Sequence, residues 1–418
     1  MRILIYSTSY APEIISVGKY NAEMAEWLVT QGHDVRVVTA PPYYPAWKIS
    51  AGYSNRWYSQ EKLNGVQLWR CPLYVPAQPS GFTRLLHLIS FALTSFPVML
   101  RQIFWKPDMV MVTEPALSCV PATVLVARLS GTKCWLHIQD FEVDAAFKLG
   151  MLSNTRMQRL LSSIETWLMH RFDRVSTISL SMQSRLQDKG IQNSFLFPNW
   201  SDLSRMQFDL VGRKRIRDEL GVDDHRCLCL YSGNIAEKQG LDIIPKVASK
   251  LPDCLFVICG NGASRARLED CVRKSGVMNV LFMPLKPLEE LPALLSAADI
   301  HLVIQKRAAA DLVMPSKLTN ILGIGGAAIV TAVKDTELGQ LAESNSPTVL
   351  RCEPESSTAL QQAIQALINK PALRNSIKTN AKAYAKQHIE KEQVLRALMK
   401  NIETIIMSTT TNRSLKKS

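Results

Sequence analysis

Short apolar runs recur along the chain at intervals that leave room for a helix between each pair. In the first half they fall at residues 2–7, 34–39, 65–70, 108–113, 132–137, 174–178 and 194–197. Runs of this length, rich in Val, Ile and Leu, suit strands buried on both faces. Apolar residues at helical spacing over 19–31, 118–129 and 154–171 predict helices between them. The pattern restarts with strands at 226–231, 254–259, 279–283, 299–304 and 327–331, and a helix over 240–251. Such alternation predicts an α/β architecture, parallel sheets with helices on both faces. The stretch 198–209, with its Pro198-Asn199-Trp200-Ser201 turn, reads as a linker before the basic run Arg213-Lys214-Arg215. Two domains follow, 1–200 and 201–385, then a C-terminal helix over 386–407 and a flexible tail at 408–418; the helical pattern itself begins near residue 371.

In open α/β sheets ligands bind beyond the carboxyl ends of the strands, so the loops that follow strands are the ones to inspect. The first, 8–18, holds Pro12, Glu13 and Gly18 and runs into a helix whose N-terminus would offer free N–H groups to an anion; an ordinary strand–helix turn is the alternative. At 135–144 the chain leaves a strand and gathers His137, Asp140, Glu142 and Asp144, which could orient a hydroxyl or accept its proton, or simply form a solvated loop. Tyr231-Ser232-Gly233-Asn234 leads to Lys238, Gln239 and Gly240, a glycine turn with a cation suited to a leaving diphosphate. Gly260-Asn261-Gly262 follows the next strand, where small residues would let a nucleotide approach the backbone. The last cluster is Arg307 with Asp311-Leu312-Val313-Met314-Pro315-Ser316-Lys317-Leu318, a loop closing on a helix that Ser316 could cap and whose free N–H groups could hold phosphate. Lys317 is either a surface lysine or part of that anion site.

Between Leu85 and Leu100 no Asp, Glu, Lys or Arg occurs, and Arg84, Arg101, Phe104, Trp105 and Lys106 flank the run. Three readings fit residues 82–105: a helix lying in a membrane surface, a buried core helix, or a span shortened by Pro97. Of the 418 residues, 47% are hydrophobic and 20% charged, enough apolar surface for a core in each domain. The net charge of +13 favours an anionic partner. Phosphate or anionic lipid is preferred to nucleic acid, because zinc-finger spacing and RNA-binding aromatic motifs are absent. Nine cysteines without CxxC pairs read as reduced, buried thiols, with Cys227 and Cys229 on one face of a strand. The apolar start at residues 1–6 reads as a first strand and not as a signal peptide.

Taken in order, the first glycine-containing loop, Gly32-His33-Asp34-Val35, the Asp140 loop, Gly233-Asn234 to Gln239-Gly240, Gly260-Asn261-Gly262 and Pro315-Ser316-Lys317-Leu318 resemble family 4 glycosyltransferases across nearly the whole chain. Within the family the likeness is to the fucose-adding enzymes of enterobacterial colanic-acid capsule synthesis. The resemblance implies a GT-B fold: two Rossmann-like domains facing across a cleft, the first binding the acceptor and touching the membrane, the second binding the donor, with the C-terminal helix packing back on the first. It implies retention at the transferred sugar, no bound metal or other cofactor, and a GDP-sugar donor, GDP-fucose. The acceptor implied is an undecaprenyl-diphosphate-linked saccharide, and the place the cytoplasmic face of the inner membrane, held peripherally through 82–105 and in contact with other polysaccharide-pathway enzymes. Asn234 stands where the family has Arg, Gln239 where it has Lys, and counting back from Gly325 the family's paired glutamates fall on Leu312 and Asn320. Asn320 retains groups able to bind ribose hydroxyls.

Expected roles follow. N–H groups around Gly18 and Ser316 hold the diphosphate; Lys238, Lys317 and Arg307 neutralise it; His137 and Asp140 meet the sugar or the acceptor hydroxyl. Three other functions compete. A nucleotide-sugar epimerase of the same fold would need no membrane helix. A nicotinamide oxidoreductase would want GxGxxG after the first strand, which 8–18 lacks. A non-catalytic scaffold would tolerate Asn234, Gln239 and Asn320.

Overall fold

The computed structural model describes residues 1–13, 17–78, 80–114, 117–141, 155–309 and 315–415. Glu142, Asp144 and Asp311–Met314, named above as candidates, lie outside the described residues. The chain divides into two compact units, 1–198 together with 395–418, and 199–394.

The first unit is built on β1 (Arg2–Tyr6), β2 (Asp34–Thr39), β3 (Ser59–Leu63), β4 (Val66–Arg70), β5 (Met109–Glu114), β6 (Lys133–Ile138), β7 (Arg174–Thr177) and β8 (Ser194–Leu196). They form one sheet in the order β3-β4-β2-β1-β5-β6-β7-β8. All neighbours are parallel except β3, which pairs antiparallel with β4. Strand β3 (SQEKL) went unpredicted because it lies at the sheet edge and its polar residues carry no apolar pattern. The Asn64-Gly65 turn that makes the hairpin, with φ of 48° and 86°, is a strong short-range signal that sequence reading passed over. Connections β4→β5, β5→β6, β6→β7 and β7→β8 all run the same way across the sheet, and β1→β2 runs the other way. Right-handed crossovers therefore place helices Gly81–Trp105, Val120–Ser130, Thr155–Met169 and Leu180–Asp188 on one face and Val17–Thr30 on the other.

Helix Gly81–Trp105 is long and apolar enough to cross a membrane, and 28% of its most apolar stretch is buried. The side chains it turns inward include His87, Ser95 and Gln102, whereas Phe82, Leu85, Leu93 and Phe104 are exposed. This is not the buried core helix that was one of the three sequence readings.

The second unit contains β9 (Leu228–Ser232), β10 (Leu255–Cys259), β11 (Val280–Met283), β12 (Ile300–Val303), β13 (Ala328–Thr331) and β14 (Leu350–Cys352), in the order β11-β10-β9-β12-β13-β14. All pairs are parallel. Helices on its two faces bury Ile244, Val247, Leu268 and Val272 on one side and Leu294, Leu318, Ile321 and Leu322 on the other. The three-residue β14 was too short to announce itself. The helix expected over 240–251 is a tight turn, Leu241–Ile243, followed by Ile244–Ala248, with Pro245 at its start.

Residues 198–209 are not a free linker: Trp200 and Met206 are buried, and the Ser201 N–H donates to Ile389 O at 2.8 Å. The same contact divides the predicted C-terminal helix into Pro371–His388 and Lys391–Leu415, because Ser201 O accepts from the Lys391 N–H at 3.1 Å. With neither Pro nor Gly to stop it, the last helix continues beyond residue 407 to Leu415. Its Leu395, Leu398 and Ile402 are fully buried, and residues from 395 onward belong to the first unit. All nine cysteines are free; Cys227 and Cys271 are half-buried and the rest buried.

Each sheet has one place where neighbouring strands send their connections in opposite directions: between β1 and β5 in the first, and between β9 and β12 in the second. At these points the loops part and leave a crevice at the carboxyl ends.

Candidate active site

In the second unit, β9 ends at Ser232 and turns through Gly233, whose φ is 139°. The Gly233 N–H donates to Cys259 O at 2.9 Å and the Ile235 N–H to Asn261 O at 2.8 Å, so the loops after β9 and β10 are zipped together. The Tyr231 hydroxyl donates to Asn234 O at 2.6 Å and braces the turn. A Cβ at Gly260 would lie 1.9 Å from Gly233 O, and one at Gly262 2.3 Å from Ile235 O. These two glycines are required by loop-on-loop packing. The sequence reading assigned them to nucleotide approach and did not include this packing role.

Lys317 enters from the neighbouring strand's side. It is the second residue of helix Ser316–Ile324, whose N-cap position is Pro315 with no side-chain cap; Ser316 is the first helical residue and does not cap. The lysine reaches back over the Tyr231 ring, with Nζ 3.7 Å from its centroid. A Cβ on Gly233 would come within 3.0 Å of both Cε and Nζ, so glycine lets the ammonium in. Although the residue as a whole is half-buried, its Nζ is shut off from solvent and has no hydrogen-bond partner among the described residues. Burial first, and the nearby Lys238 charge second, push its pKa down to about 7. A cation withdrawn from water without a counter-ion is costly, and the cost is recovered when an anion arrives.

The other predicted residues divide. Lys238 is exposed, and its carbonyl accepts from the Lys306 N–H at 2.9 Å. Gln239, in the family's lysine position, uses its Oε1 to accept from the Ala236 N–H at 3.1 Å, which stabilises the turn. Arg307 does not join Lys317: its Nη2 donates to Glu353 at 3.1 Å on the surface, and its N–H to Glu355 at 3.2 Å. Asn320 presents its Oδ1 to the Ser201 hydroxyl at 3.1 Å, and Leu318 is buried in the core.

In the first unit His137 lies on β6 and is 3% exposed. Its Nδ1 is 2.9 Å from Ser176 Oγ and its Nε2 3.0 Å from Gln139 Nε2. The amide must donate to Nε2, so Nδ1 carries the proton and donates to Ser176. Burial drives the His137 pKa down to about 3, which keeps the ring neutral. With both nitrogens engaged inside the core, His137 fixes the end of β6 and has no free ring nitrogen to offer a sugar in this arrangement. Asp140, two residues beyond the strand, is half-buried and close enough to Tyr44 for its charge to act on that phenol.

Gly18 packs against Glu13: a Cβ there would sit 3.0 Å from Glu13 Cβ and 3.1 Å from Glu13 Oε2, so the glycine makes room for that carboxylate. Glu13 is buried, accepts from the Tyr43 and Tyr44 N–H groups at 3.0 Å each, and has its pKa raised, chiefly by burial. Sequence reading noted Glu13 but gave it no role, and it missed the Tyr231 ring beneath Lys317. Among the described residues no group of three or more His, Cys, Asp or Glu could hold a metal ion.

The second unit thus holds a buried ammonium without an acceptor among the described residues, at the switch point of a parallel sheet. Residues 17–200 match the "Glycosyl transferase 4-like domain" family and residues 212–384 the "Glycosyl transferases group 1" family. The chain is 45% identical, over 96% of its length and 100% of the relative's, to WcaI of Escherichia coli (strain K12), whose name assigns it to colanic acid biosynthesis as a glycosyl transferase. Among solved structures, sucrose-phosphate synthase from Thermosynechococcus elongatus superposes with a TM-score of 0.75 at 15% identity, covering 98% of this chain and 100% of that one. Anabaena HepE in complex with UDP gives 0.71 at 13% identity, covering 97% and 100%. The chain belongs to the group 1 and 4-like glycosyltransferases of GT-B fold and is a glycosyltransferase. That sets aside the oxidoreductase and epimerase alternatives.

Proposed function

We propose that the protein is a retaining glycosyltransferase of colanic-acid exopolysaccharide synthesis that moves fucose from GDP-fucose onto an undecaprenyl-diphosphate-linked saccharide. The observation that carries the donor half of this reading is the unpartnered, buried Lys317 ammonium beside Gly233 at the β9–β12 switch point. In the transfer the bond from the sugar's anomeric carbon to the diphosphate breaks, the acceptor oxygen forms the new bond, and negative charge gathers on the departing phosphate. Lys317 neutralises that charge in a desolvated place, where one cation has its greatest effect. Lys238, exposed nearby, adds a second positive charge, so a divalent metal is dispensable. Asp140, at the mouth of the first sheet, receives the acceptor proton or orients its hydroxyl in this reading.

The pathway rests on the likeness to WcaI, whose name states colanic acid biosynthesis. The lipid-linked acceptor and a peripheral position on the cytoplasmic face of the inner membrane rest on the outward apolar face of Gly81–Trp105 and on the net charge of +13. In that position contact with other polysaccharide-pathway enzymes is expected.

The test is radiolabel transfer from a panel of GDP- and UDP-sugars into lipid extract, with chelator present; HepE's complex with UDP is the reason to include the UDP-sugars. Label entering lipid from GDP-fucose alone supports the reading, and label from another donor replaces the sugar. No transfer from any donor, with folded protein, returns the scaffold alternative.

A further inference from the structure

We propose that helix Thr155–Met169 is a second lipid-contacting element, whose outer face docks on the surface of an anionic bilayer. The inference builds on the membrane position given above but stands on different residues.

A surface helix ordinarily turns its apolar stripe to the core and its charges to water. This helix does the reverse. Its single acid, Glu165, is fully buried and accepts from Lys189 Nζ at 2.7 Å, with Leu168 and Met169 buried beside it. Outward it shows Met157, Leu160, Ile164 and Trp167, exposed by 45%, 60%, 42% and 57%. The spacing of these four puts them in one stripe along the helix. With Glu165 turned inward, the charged side chains that the helix shows to solvent, Arg156 and Arg159, are both basic. Just past its end the Arg171 guanidinium lies 4.3 Å from the Trp167 ring centroid. An apolar stripe carrying Trp, whose charged neighbours on the described helix are arginines, is complementary to acyl chains beneath phosphate headgroups. A soluble protein partner would have to match the stripe with apolar surface and the arginines with acids; an anionic bilayer supplies both in depth order.

The neighbouring surface supports the same occupant. Gly81–Trp105 buries the polar His87, Ser95 and Gln102 along with Phe91 and Met99, and exposes Phe82, Leu85 and Leu93. Both helices lie on one face of the first sheet by the sense of their crossovers. Val120–Ser130, on that face too, exposes Leu125 by 38% and Leu129 by 60%. Because Gly81–Trp105 buries residues from His87 to Gln102 against the unit, it stays with this layer, and the whole face meets the bilayer side-on.

The experiment uses full-length protein and vesicles of phosphatidylglycerol with phosphatidylethanolamine, against phosphatidylcholine alone. The triple variant Leu160→Gln, Ile164→Gln, Trp167→Gln is expected to lower partitioning into phosphatidylglycerol vesicles by about tenfold or more, since three half-exposed apolar side chains lose their contact with lipid. Brominated lipid is expected to quench wild-type fluorescence by an increment that Trp167→Phe removes. If the triple variant is poorly folded, Arg156→Gln with Arg159→Gln decides, through loss of the preference for phosphatidylglycerol. The inference is overturned, and Gly81–Trp105 left as the sole contact, if these variants bind like wild type while Leu85→Gln with Leu93→Gln does not. Wild-type protein that binds neither vesicle overturns both readings. A triple variant that keeps full vesicle binding but loses self-association shows an interface between copies instead.

Discussion

Two buried cations stand at opposite ends of one strand in the second unit, and they are treated in opposite ways. At the amino end of β12, Arg217 from helix Leu210–Glu219 is 2% exposed. Its Nη1 donates to Asp299 at 3.1 Å and to Ala297 O at 2.9 Å; its Nη2 donates to Arg226 O at 2.7 Å and to Asp223 O. Asp299 in turn accepts from the Leu228 N–H at 2.9 Å and from Arg213 at 3.0 Å. Burial alone would raise the Asp299 pKa; these donors outweigh it and hold the carboxylate below its usual range. At the carboxyl end Lys317 has a ring face and, among the described residues, no acceptor. The protein has closed its electrostatics where strands begin and left them open where strands end. A buried ion whose charge is met by a carboxylate and several carbonyls is architecture, even with the Arg217 Nε left without a hydrogen bond, whereas one with no acceptor among the described residues is a vacancy for a ligand of opposite sign.

The largest way to break the contrast is to delete each cation in turn. Arg217→Met is expected to cost about 3–5 kcal/mol of stability, because Asp299 and three carbonyls stay behind without a guanidinium. Protein that remains folded should turn over at close to the wild-type rate. Lys317→Met should do the opposite, lowering kcat about 100- to 1000-fold, the usual cost of one charge-stabilising donor, without lowering the denaturant midpoint. Unfolding curves and initial rates on the same preparations separate the two. A Lys317→Met protein that is strongly destabilised yet active would make Lys317 a structural residue.

A smaller effect follows from the Lys317 pKa of about 7, far below its ordinary 10.5. Below pH 7 the lysine is charged in both folded and unfolded states. Between pH 7 and about 10.5 the unfolded state holds the extra proton, so stability should rise with pH through this window. A bound diphosphate reverses the preference. At pH 8 the free site is mostly neutral and the occupied site charged, so binding GDP should take up close to one proton. Calorimetry in buffers of different ionisation enthalpy measures that uptake, and Lys317→Met should abolish it. Affinity for GDP should weaken by up to about tenfold per pH unit above 7 in wild type and stay flat in the variant.

Sequence patterning made the alternating units and most strands legible, because strands buried on both faces are apolar throughout. It failed at β3 and β14, one polar and at an edge, the other only three residues long. It named Lys317 and Gly233 by position in a motif but could not place the ammonium over Tyr231, a contact between residues far apart in the chain. The contacts it missed share a cause. His137, Gly260 and Gly262 near strand ends, and Gly18 at a helix start, meet neighbours distant in sequence or across a turn, Ser176, Gly233, Ile235 and Glu13, which a linear pattern does not reveal. A strand-end residue is a site residue only if the fold leaves it unfilled.

Arg307 sharpens this rule with the smallest expected effect. By sequence it is a cation in the loop that leads to Lys317, as eligible as Lys317 itself. In the structure it is exposed and paired with Glu353, a carboxylate held below its usual range by Arg351 first and Arg307 second. Exposed pairs of this kind contribute little to stability, because water screens them. Arg307→Gln should therefore shift the unfolding midpoint barely and leave kcat within about twofold of wild type. If it instead slows transfer as much as Lys317→Met, donor binding must draw Arg307 away from Glu353. Then Glu353→Gln, by freeing the arginine beforehand, should tighten donor binding and lower KM. Partnered in the empty protein would then no longer mean unavailable, and the contrast between the two ends of β12 would hold only for cations as deeply buried as Arg217.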